Sequence, residues 1–118
     1  LSLLTYLFRT APHGSNAGRE GIDALLAASA YCENISVIFL GDGVLQLLQG
    51  QQTDDILAKN YAPMLKLFDL YDIEQVYVCQ SSLSERGLAQ ADLVLHAERL
   101  TREQIAQRLT QAGKILTF

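Results

Sequence analysis

The sequence predicts one domain of the α/β class: a doubly wound, five-stranded, mainly parallel sheet with helices on both faces, spanning residues 1–118. Three observations point there. Nearly continuous apolar runs recur along the chain, as in strands buried on both faces of a parallel sheet. Segments with apolar residues at helical spacing separate those runs, and strand–helix alternation is the pattern of a wound sheet. The 118-residue length suits a single unit that buries roughly 65% of its unfolded surface without a disulfide or a metal.

Leu3-Leu4-Thr5-Tyr6-Leu7-Phe8 is the first strand, and Thr10 to Asn16, broken by Pro12 and Gly14, is a loop. From Ala17 to Tyr31, Ile22, Leu25 and Leu26 fall on one helical stripe, with Ser15 or Asn16 available as the cap. Asn34 to Leu40 is the second strand, closed by Gly41-Asp42-Gly43, a turn calling for positive φ. Val44 to Leu48 is too short for a core helix: it is either a single turn tucked under the sheet edge or a surface facing another subunit. Thr53 and Asp54 can cap a helix through Ile56-Leu57-Ala58, and Pro63 can open another that carries Leu67, Phe68 and Leu70.

Gln75 to Cys79 is the central strand, rich in β-branched and aromatic residues. Ser81 or Ser82, with Glu85, can cap a short helix that Gly87 stops. Asp92-Leu93-Val94-Leu95-His96 reads as the fourth strand. Thr101 and Gln104 form a capping box for a helix carrying Ile105, Ala106 and Leu109, and Lys114 to Phe118 is the fifth strand.

Composition narrows the function. The apolar fraction is 49% and the charged fraction only 19%, an excess that goes into a large core or a subunit interface. The net charge is -4 and the nine basic residues are scattered, so the clustered footprint that neutralises phosphates is missing and direct nucleic-acid binding is not expected. Cys32, Cys79, His13 and His96 make no spaced ligand set, which argues against a metal and fits a reducing compartment. LSLLTYLF lacks the basic segment of a signal peptide, and no run approaches the ~18 apolar residues of a membrane span, so the expected location is the cytoplasm.

Cys79 is the first candidate for chemistry. A thiol between a strand tip and a helix start sits near unpaired N–H groups and a partial positive charge, which favour the thiolate. The other reading is a small apolar core residue, because free cysteines are among the most buried residue types. If the first and third strands are neighbours, the 10–16 loop shares their crevice and His13 lies near Cys79. His13 can equally be a loop residue packed beside Pro12. Gly14 to Arg19 matches no standard phosphate loop, although Thr10 and Ser15 are compatible with a flavin phosphate; Arg19, Glu20 and Asp23 read as solvated pairs.

Thr10-Ala11-Pro12-His13-Gly14, Gly18-Arg19-Glu20-Gly21 with Asp23 to Ala27, Asp42-Gly43-Val44 with Gln46-Leu47-Leu48, and Leu70 to Gln75 ahead of Val78-Cys79 together resemble the DsrE/DsrF family. The likeness runs from the first strand to Ile115-Leu116-Thr117-Phe118. It implies a DsrF-like subunit of a heterohexamer, a dimer of heterotrimers with TusB-like and TusD-like chains. Such a complex passes persulfide sulfur from the carrier TusA to TusE, toward 2-thiolation of wobble uridine in tRNA. In the family the persulfide cysteine belongs to the DsrE-like chain, at the strand-end slot that Cys79 fills here. The resemblance therefore implies a structural, partner-positioning subunit with no cofactor and no assigned catalytic residue, Cys79 staying a candidate with His13 as its possible neighbour. Two alternatives stay open: Cys79 itself carries sulfur, or the chain is a small nucleotide- or flavin-binding module.

Overall fold

The structure, a computed structural model, describes residues 4–11, 17–48, 67–93 and 96–118. Five strands form one sheet: β1 (Leu4–Phe8), β2 (Ile35–Phe39), β3 (Gln75–Cys79), β4 (Glu98–Leu100) and β5 (Lys114–Thr117). Their order is β4-β3-β2-β1-β5 and every pairing is parallel. The central three are the most apolar runs, because a strand covered on both faces has no side for polar residues. All five residues of β2 are buried, whereas β4 and β5 at the edges are mostly exposed.

Among the described residues, four helices and one 3₁₀ segment connect the strands. They are α1 (Ala17–Ala28), the 3₁₀ segment Gly41–Leu47, α2 (Leu67–Leu70), α3 (Gln80–Glu85) and α4 (Arg102–Gln111). The chain steps from β1 to β2 to β3 to β4 in one direction and then returns past all of them to place β5 beside β1. Right-handed crossovers put the first three connections on one face and the reversed one on the other. The packing agrees. Ile22 and Leu25 of α1, Val44 and Leu47 of the 3₁₀ segment, Phe68 of α2 and Leu83 of α3 share a core with Tyr6, Phe8, Val37, Phe39, Val76 and Val78. Ile105 of α4 packs in a second core with Leu7, Ile38, Tyr77, Cys79 and Leu100. Alternate residues of each strand therefore serve opposite layers.

Three expectations need correction. The fourth strand is Glu98–Leu100, not 92–96: Asp92 and His96 are outside any strand, Leu93 forms an isolated antiparallel bridge with Leu48, and 94–95 lie outside the described residues. An edge strand needs only one inward apolar residue, here Leu100 opposite Cys79, so the apolar run was a poor guide to it. Strands one and three are not neighbours, since β2 lies between them. The α3 cap is neither Ser81 nor Ser82 but Cys79. As for the short Val44–Leu48 stretch, its 3₁₀ segment is tucked in, with Val44, Gln46 and Leu47 fully buried. The helix expected over 53–58 and the start of the one at Pro63 lie outside the described residues; α2, at Leu67–Leu70, falls within the range expected for the second.

Gly43 belongs in the 41–43 turn for a reason other than positive φ, which only Gly41 adopts, at 59°. A Cβ on Gly43 would collide with the Phe8 carbonyl oxygen, so the backbone of the turn lies directly against the end of β1.

Candidate functional site

The carboxyl ends of β1, β2 and β3 converge on one polar assembly around α3. Cys79 ends β3 in an extended conformation and its Sγ accepts a hydrogen bond from the Ser82 N–H at 3.4 Å, so the thiol occupies the place where a serine or aspartate oxygen usually caps a helix. The side chain is 0% exposed. Leu7, Ile38, Tyr77, Leu100 and Ile105 pack around it in the second core. Strand alternation explains the direction: Val78 faces the first core, so Cys79 turns toward α4.

Ser82 holds this helix to the neighbouring strand. Its hydroxyl accepts from the Gly41 N–H at 2.9 Å, two residues beyond the end of β2. Arg86 adds a second tie: Nε and Nη2 donate to Asp42 Oδ1 at 3.2 and 2.8 Å, and Nη1 donates to the Ser82 carbonyl at 3.0 Å. Asp42 is exposed, so the ion pair is worth at most about 1 kcal/mol and acts mainly as a positional clamp. Glu85 pairs with Arg102 of α4, which links the cap helix to the other face.

The first strand–helix loop enters the same region through Thr10. Gln46 is fully buried and its Nε2 donates to the Thr10 carbonyl at 3.0 Å, while Gly18 in the first turn of α1 leaves room for its amide. His13 and Ser15 lie outside the described residues. Cys32 is exposed and unpaired, before the start of β2 and so at the opposite end of the sheet from Cys79. Among the described residues, no group of three or more His, Cys, Asp or Glu side chains could hold a metal, and no helix is long and apolar enough to cross a membrane.

Gly41, Asp42, Gln46 and Arg86 are the positions that reading the sequence missed as parts of this assembly. Their partners lie 36 to 44 residues away, and no local spacing rule reaches that far. Chemically, the arrangement presents a capped, enclosed thiol below a polar surface that the Gly41–Asp42 turn and α3 share.

Comparison with known proteins agrees over the whole chain. The chain is similar to a protein named "Protein TusC homolog" from Vibrio parahaemolyticus, with 71% identity over 118 residues covering 100% of both chains. It shares 44% identity with a protein of the same name from Haemophilus influenzae, covering 98% of each. The crystal structure of the ychN protein from E. coli superposes with a TM-score of 0.85 at 23% identity, covering 100% of both chains, which shows a shared fold. The model of the DsrE/DsrF-like family matches residues 3–118, and with that match and those relatives the chain belongs to the DsrE/DsrF-like family.

Proposed function

We propose that this chain works in sulfur relay as a DsrF-like, TusC-type subunit that supports assembly and positions its partners rather than carrying sulfur. The observation that carries the reading is the full-length 71% identity to a TusC homolog. The proposed setting is a cytoplasmic dimer of heterotrimers with TusB-like and TusD-like chains. That complex takes persulfide sulfur from TusA and passes it to TusE, toward 2-thiolation of wobble uridine in tRNA.

The geometry around Cys79 favours the companion role. Sulfur transfer needs an incoming thiolate to reach the acceptor or donor sulfur along an open approach. Cys79 has none in this conformation, being fully buried and engaged as a helix cap. Direct carriage of sulfur by Cys79 is the second reading, favoured by its position at the strand end.

Co-expression with the TusB-like and TusD-like chains is expected to give a hexamer by sizing with light scattering, and expression alone a poorly soluble or self-associated chain. A well-behaved monomer indifferent to those partners would overturn the reading. In cells, Cys79→Ser is expected to leave 2-thiouridine unchanged by nucleoside mass spectrometry. Loss of the modification with the hexamer intact would assign the carrier role to Cys79 instead.

A further inference from the structure

At the end of the sheet opposite Cys79, the turn after α1 and the turn before β3 enclose an open cavity of about 370 Å³. Cys32, Glu33, Tyr71, Asp72 and Glu74 line it, and among the described residues no basic side chain does. The described part of the chain has four exposed large apolar side chains, and three of them, Tyr31, Leu70 and Tyr71, come from these two turns. Exposed aromatic residues beside a one-signed charged cavity are the composition of a recognition surface rather than of scattered surface residues.

The second turn is built rigidly. Ile73 is buried in the first core and its N–H donates to the Phe68 carbonyl at 2.9 Å, while the Tyr71 N–H donates to the Leu67 carbonyl at 2.9 Å. Asp72 takes a left-handed conformation, φ 58°, the one non-glycine among the described residues to do so. Such backbone costs on the order of 1 kcal/mol and persists where its surroundings hold it. Here it turns the chain so that Tyr71 and Glu74 both face the cavity.

We propose that this pole is a docking surface for an arginine-bearing segment of a partner protein, with the guanidinium held between the Glu33 and Glu74 carboxylates and stacked on Tyr71. Charge complementarity selects a cation. The planar guanidinium matches paired carboxylates and an aromatic ring together, which a lysine ammonium does not. Flanking apolar residues of the partner meet Tyr31 and Leu70. The surface is separate from Cys79 and does not depend on what that thiol does.

Cys32 reports on occupancy, since it is exposed in the cavity while Cys79 is buried. The test is alkylation by iodoacetamide of the full chain in the complex with which it purifies, followed by intact mass. It is run with and without a capped pentapeptide carrying one arginine between two leucines, and with the matched citrulline peptide. One such contact gives an affinity on the order of 1 mM, so roughly 10 mM arginine peptide is expected to slow alkylation roughly tenfold. The citrulline peptide is expected to leave the rate unchanged, and Glu33→Gln with Glu74→Gln to abolish the protection, each variant being compared with itself. Equal protection by citrulline, or no protection of a reactive Cys32, would overturn the proposal; a Cys32 unreactive before peptide is added supports it if Glu33→Gln with Glu74→Gln restores alkylation and overturns it if that variant stays unreactive. Shielding that grows with protein concentration alone would also overturn it, since that assigns the face to a second copy. Failure of the assembly reading shows earlier and separately, at the sizing step.

Discussion

Gly41 donates its backbone N–H to the Ser82 hydroxyl at 2.9 Å, and this bond ties the turn after β2 to the helix that Cys79 caps. Ser82 is buried, so removing its hydroxyl strands a donor in a site with little water. Ser82→Ala is expected to cost about 1–2 kcal/mol, read as a lower urea midpoint. Arg86→Met breaks the partly exposed clamp to Asp42 together with the bond to the Ser82 carbonyl, and is expected to cost about 1 kcal/mol or less. Equal losses for the two would show that the hydroxyl bond is not the main tie.

Two glycines should respond to alanine for different reasons. At Gly43 the added methyl meets the Phe8 backbone, which has no rotamer to escape into, so Gly43→Ala is expected to cost about 3 kcal/mol or more in denaturant unfolding. At Gly87, φ is 71° and nothing lies within 4 Å, so only the left-handed penalty applies and the cost is about 1–2 kcal/mol. A Gly43→Ala chain as stable as Gly87→Ala would disprove the close approach.

Thr5 and Ser36 pair across β1 and β2, are both 1% exposed, and have hydroxyl oxygens without a hydrogen-bond partner. A buried hydroxyl that loses water and gains nothing destabilises the fold. Thr5→Val keeps the shape and deletes the polar atom, so a gain of about 1 kcal/mol is expected in thermal unfolding. A loss would mean that the hydroxyl is bonded in solution.

Tyr6 supplies a pH-dependent prediction. Burial, and secondarily the charge of Cys32, hold its phenol above the ordinary value of 10.0. The unfolded chain therefore releases this proton first as pH rises. The contribution to stability is complete below about pH 10 and is lost as pH climbs through the higher folded value. Tyr6→Phe should flatten the fall in stability above about pH 10 in urea titrations, with little change at neutral pH because the Tyr6 hydroxyl bond to the Ala24 carbonyl is long, at 3.4 Å. An unchanged alkaline slope would refute the assignment.

Local chemistry was readable where neighbours in sequence do the work. Thr101 and Gln104 form both bonds of the capping box, and Gly87, with positive φ, follows the end of α3. β2 and β3 sit where β-branched and aromatic residues cluster. The candidate site was readable only in part. The placement of Cys79 between a strand and a helix followed from the residues around it, while its burial followed from Leu7, Ile38, Leu100 and Ile105, none of which is near it in sequence. The polar edge strand Glu98–Leu100 was overlooked for a related reason: its register is set by pairing with Tyr77 to Cys79, not by its own hydrophobicity.

The sequence alone determined the wound α/β class, the alternation of strands and helices, and the family likeness, because each depends on short-range periodicity or on motifs in order. Tertiary structure decided that β2 separates β1 from β3, that α4 covers the face toward which Cys79 points, and that two turns at the far pole share an acidic, aromatic cavity. Those outcomes depend on which distant segments the crossovers bring together. Burial and charge at a point in space sum over all of them, and no window along the chain contains that sum.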